Sequence, residues 1–194
     1  MTQITWLQLE SHTSDRRRVA TCHGQPAERV LQDAAESEPD SLLVVCPPGA
    51  CFDIDPESEL TRYASHLRDT LDLDAGAVFT FALDDYVRGA RFTEWAVSTR
   101  ALFTRKVRPE QGIAVVGSCM EKLLELPLPQ SQGRDPALEL IATLQARVGP
   151  GRTYHLRTPL IAPAAMARRA GYGQFMRRSL FDRRMRPAPI LAKA

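Results

Sequence analysis

The sequence predicts an α/β domain: a mostly parallel sheet of about five strands with flanking helices. Three observations carry that expectation. Residues 42–46 (LLVVC), 77–82 (AVFTFA) and 112–116 (GIAVV) are short apolar runs, too brief for buried helices and rich in Val and Phe, the mark of strands covered on both faces. Segments with apolar residues at helical spacing alternate with them. Turn residues such as Pro47, Pro48 and Gly49 separate strand from helix.

In chain order, residues 4–9 (ITWLQL) alternate weakly and residues 17–22 (RRVATC) form a second extended run. With HTSD as the turn between them, they predict an N-terminal hairpin at a sheet edge. Residues 26–37 read as a helix with Ala27, Val30, Leu31, Ala34 and Ala35 on one side. After the 42–46 strand, Asp55 is placed to cap a helix, with Pro56 at its first position and Glu57 and Glu59 near the positive end of its dipole. Leu60, Tyr63, Ala64, Leu67 and Leu71 make its apolar stripe. Asp84 and Asp85 open a longer helical pattern, weakened early by Gly89, in which Phe92, Trp95, Ala96, Thr99, Leu102 and Phe103 recur at helical spacing. Residues 105–111 are polar.

A short helix is expected over 120–125, then a linker at 126–134 (LPLPQSQGR), then a helix capped by Asp135 that runs to about residue 147. Gly149, Pro150 and Gly151 break the chain, and residues 154–161 make a further strand interrupted by Pro159. From Pro163 the chain is helix-like and Arg-rich. The break divides the chain into an α/β core domain, 1–148, and a basic C-terminal extension, 149–194, expected to dock on the core or on a partner.

Composition narrows the class. With 194 residues, 44% hydrophobic and 25% charged, the chain suits one domain with a sizeable core. No apolar run approaches ~18 residues, so neither a membrane span nor a membrane partner is expected. The N-terminus lacks the pattern of a secretory signal, and Cys22, Cys46, Cys51 and Cys119 make no disulfide framework; reduced thiols in a cytoplasmic protein are the expectation. The net charge of +2 conceals a polarity. Residues 1–147 hold 15 Lys/Arg against 22 Asp/Glu, a balance of −7, and residues 148–194 hold 10 against one, a balance of +9.

In open α/β sheets, ligands sit beyond the carboxyl ends of the strands. In a parallel sheet that edge would collect Asp53, Asp55, Asp84, Asp85, Ser118 and Cys119. Asp53 and Asp84 are candidate Mg²⁺ ligands, with Asp53 also a candidate catalytic carboxylate. The stretch FDIDPESEL resembles the nucleophile motif of haloacid-dehalogenase-like phosphatases. It departs from that pattern where PPGAC separates it from its strand and where no paired acids follow downstream. Gly117, Ser118 and Lys122 are candidate phosphate contacts at a helix start, where Cys119 could serve as a nucleophile. Cys22, His23, Cys46 and Cys51 match no common zinc-site spacing.

The most distinctive stretch is C-terminal. Arg168, Arg169, Arg177, Arg178, Arg183, Arg184 and Arg186 are interleaved with Tyr172, Phe175 and Phe181, residue types that suit phosphate contact and base stacking. The sequence therefore predicts a non-catalytic, cytoplasmic binding or adaptor protein, without cofactor. Its partner would be nucleic acid or an acidic protein surface, engaged by these residues within a homo-oligomer or a larger complex. Two alternatives are a small Mg²⁺-dependent phosphate-handling enzyme, a phosphatase or transferase, with its site at the carboxyl edge of the sheet, and a catalytically inactive structural subunit.

Overall fold

A curled six-stranded sheet between helices organises the computed structural model, which describes residues 3–14, 17–85, 88–104, 107–126 and 135–164. The chain runs β1 (Ile4–Gln8), β2 (Glu10–Ser14), β3 (Arg17–Cys22), β4 (Gln25–Pro26), α1 (Ala27–Ser37), β5 (Leu42–Cys46), β6 (Cys51–Phe52) and α2 (Glu57–Thr70). It continues with β7 (Gly76–Leu83), α3 (Arg88–Thr104), a 3-10 turn (Pro109–Gln111), β8 (Ile113–Val116), α4 (Gly117–Leu124), α5 (Pro136–Val148) and β9 (Thr153–Ala162). Among the described residues no helix is long and apolar enough to cross a membrane.

The large sheet has the order β1-β5-β8-β7-β9-β6 and is mixed, not mostly parallel. β1 and β5 are parallel, as are β7 and β9, while β8 lies between β5 and β7 antiparallel to both, and β6 is antiparallel to β9. The expectation fails for a physical reason. A run such as IAVV buries both faces equally well in either direction, so its hydrophobicity carries no information about strand polarity.

The alternation of side chains does place the layers. Leu43 and Val45 of β5, with Ile113 and Val115 of β8, join α1, α4 and α5 in one core. Leu42, Val44 and Cys46, with Ala114 and Val116, join Leu60, Tyr63, Ala64 and Leu67 of α2 on the opposite face. The two sheet edges curl toward each other: Trp6 of β1 meets Phe52 of β6 edge-on at 5.5 Å, and Phe52 meets Phe79 at 4.9 Å.

Two further differences follow from chain geometry. Residues 4–9 do not form a hairpin with 17–22; β1 is a parallel edge strand of the large sheet. The hairpin is β2 with β3, pairing Ser14 with Arg17, in a separate three-stranded sheet with β4. Thus His12, Thr13 and Ser14, read from sequence as turn, are strand. β9 is an inner strand of the large sheet, between β7 and β6, so the part of 149–194 that is described contributes to the core. Pro159 is accommodated because the β7–β9 register shifts between Val78 and Thr80, next to the Thr80–Pro159 pair, where a missing backbone donor costs least. The residues 165–194 lie outside the described part of the chain.

Candidate functional site

The polarity of the strands decides what can converge. β1, β5, β7 and β9 finish at one end of the sheet, and β8 finishes at the other. The predicted row of site residues is accordingly split. Asp84 and Asp85 follow β7 at the first end, and Gly117, Ser118 and Cys119 follow β8 at the opposite end.

Asp53 and Asp55 do not stay at the first end either. β5 turns at Pro47–Ala50 into β6, which runs back along β9 with Cys51 opposite Ile161 and Phe52 opposite Leu160. Asp53 therefore falls at the level of Pro159, while Asp84, whose N–H donates to Ala162 O at 3.1 Å, lies past the end of β9. At strand spacing the two are about 13 Å apart along the strands and about 10 Å across them. That does not fit a shared Mg²⁺. Among the described residues no three His, Cys, Asp or Glu side chains cluster closely enough to hold a metal ion. Cys22 and Cys46 pack in cores on opposite faces of the sheet.

Asp55 does what its neighbours in sequence suggest: Oδ1 accepts from the Glu57 N–H at 3.0 Å at the start of α2. Asp135 Oδ1 likewise accepts from the N–H groups of Ala137 and Leu138 and binds Ser11 Oγ at 2.6 Å. Both carboxylates are satisfying helix donors.

At the other end, the first amides of α4 are also taken. Gly117 N–H donates to Ser41 O at 3.0 Å and Ser118 N–H to Pro39 O at 2.9 Å. A Cβ at Gly117 would lie 2.4 Å from Glu38 O, so the α4 start is pressed against the turn before β5. Cys119 is fully buried, and burial pushes its thiol up to about 12, far from the thiolate a nucleophile needs. Lys122 Nζ binds Asp74 Oδ1 at 2.6 Å, a hydrogen bond that raises its pKa, and Asp74 also receives Arg152 at 3.4 Å. Cys51 is the exposed thiol among the four.

The sequence reading missed a polar network beneath the end where β7 and β9 finish. Glu110 is buried and receives two bonds from Arg108, at 2.7 and 3.0 Å, while the Arg108 guanidinium lies over the Phe81 ring. Gln111 donates to Phe79 O at 2.7 Å, and Gln145 donates to Arg108 O and Gly112 O, both at 2.9 Å. Gly112, at φ +61°, is required: a Cβ there would stand 2.8 Å from Val45 O. Above the network lies a concavity of about 50 Å³ between Pro47, Pro48, Leu83, Asp135, Leu138 and Pro163. This is far below the few hundred Å³ of small-molecule sites, so it reads as a packing seam. The only sequence sign of the network is the polar RPEQG (108–112): Arg108 and Glu110 pair within it, while bonds to Phe79 and Gln145 reach positions distant in sequence.

The chain leaves this same end. Ala164, the last residue described, is buried, and Ala162 packs with Phe81, Leu83, Ala90 and Val97 against α3. The basic positions Arg168, Arg169, Arg177, Arg178, Arg183, Arg184 and Arg186, with Tyr172, Phe175 and Phe181, lie outside the described residues. Comparison with known proteins finds no matching family model, no matching curated protein and no matching solved structure.

Proposed function

We propose that this is a non-catalytic binding protein that engages an anionic partner, nucleic acid or an acidic protein surface, through the Arg-rich residues 168–186. The observation that carries the reading is the charge polarity: −7 over residues 1–147 against +9 over 148–194. Seven arginines within nineteen residues repel one another unless counter-ions, an acidic surface or a polyanion offset them. The phosphate-handling alternative draws no support from the carboxylates, since the register holds Asp53 and Asp84 apart, or from the α4 start, whose first amides are bonded to backbone.

The test is the Arg177→Ala/Arg178→Ala double variant, measured two ways. With nucleic acid as the partner, affinity for a single-stranded oligonucleotide falls steeply with salt, and the variant reduces the log–log slope by roughly 2. With an acidic protein surface as the partner, the chain's own or a second copy's, the variant lowers folding stability or dissociates an oligomer and leaves oligonucleotide binding unaltered. If neither quantity moves, the segment is a solvated tail and the proposal fails.

A further inference from the structure

We draw no further inference here: the strongest candidate, the exposed face of α3 on which Phe92 and Trp95 stack at 5.6 Å, carries none because nothing in the structure shows what covers it.

Discussion

α2 and α3 look alike in sequence and behave oppositely in the fold. Each shows large apolar residues at helical spacing. In α2 that stripe is the buried one: Leu60, Tyr63, Ala64 and Leu67 pack beneath the sheet. In α3 the large residues Phe92 and Trp95 of that stripe are more than half exposed, and the buried side is built from Ala90, Thr93, Val97 and Ala101. The difference teaches what amphipathicity does and does not encode. α2 opposes its apolar stripe with Arg62, Ser65, His66 and Asp69, so only one orientation buries it well. α3 offers two apolar sides, and tertiary packing chooses between them. Small residues win the contact because they let the helix approach Phe81 and Leu83 of β7 closely, and the larger side is left outside.

The largest effect expected from this contrast is at Leu67, which has no exposed surface. Leu67→Ala should cost about 2–5 kcal/mol, read as a lower urea midpoint at unchanged slope, because the lost transfer energy is compounded by the cavity left behind. A cost under about 1 kcal/mol would mean that α2 is not anchored by its stripe, and the comparison would lose one of its terms.

A second expected effect concerns how α2 is fastened to the sheet, a link α3 makes differently. Glu59 Oε1 accepts from the Arg157 N–H at 2.8 Å, and Oε2 accepts from the Thr158 N–H at 2.8 Å and its hydroxyl at 2.6 Å. These bonds fall just before Pro159, where β9 lacks a donor. Burial works to raise the Glu59 pKa, but the bonds from Thr158 and Arg157, with the charge of Arg62, outweigh it and hold the carboxyl below its ordinary value of 4.5. A depressed folded-state pKa gives stability that is present above the unfolded value and lost as pH falls through the folded one. Glu59→Gln should therefore cost about 1–3 kcal/mol at neutral pH, since Nε2 cannot accept the Thr158 bonds. The gap between variant and parent should narrow as pH drops below about 4.5. Chemical denaturation across that range checks it; a gap independent of pH would show that the carboxylate charge is not involved. α3 in turn lends Glu94 to the Leu83 N–H at 2.8 Å, where β7 ends, with Arg91 on its other oxygen.

Features that depend on neighbours in sequence were legible before the fold was known. The caps at Asp55 and Asp135 are set by the residues that follow them, and both form. The apolar runs at 42–46, 77–82 and 112–116 became β5, β7 and, from Ile113, β8, because so short an apolar run buries most of its side chains best as a strand. Features that depend on pairing were not. Strand direction leaves no trace in LLVVC or IAVV, and with β8 reversed the predicted site edge divided into two ends. Leu71, read as the last residue of the α2 stripe, instead closes the helix in a left-handed conformation, φ 54°, and is 85% exposed. The Arg108–Glu110 pair is local, but Gln111 reaches Phe79, thirty-two residues away, and Gln145 reaches Arg108 and Gly112, thirty-seven and thirty-three away. Spacing rules within one element cannot detect bonds of that range.

The smallest expected effect tests the other half of the comparison. Phe92→Ala/Trp95→Ala should change folding stability by no more than about 0.5 kcal/mol in either direction. Two terms oppose. Removing the stacked pair forfeits an aromatic contact worth roughly 0.5–1.5 kcal/mol, discounted because more than half of each ring is already in water. Alanine at two solvent-facing helix positions returns about half a kcal/mol apiece through better helix propensity. The two nearly cancel, so the urea midpoint should stay within error of the parent while Leu67→Ala moves it far. The same double variant therefore shows whether the stacked pair belongs to the fold at all, because a pair whose removal costs nothing holds no part of the core. A loss above about 2 kcal/mol would place these rings in a core in solution, covered by the rest of the chain or by a second copy. The distinction between the two helices would then fall.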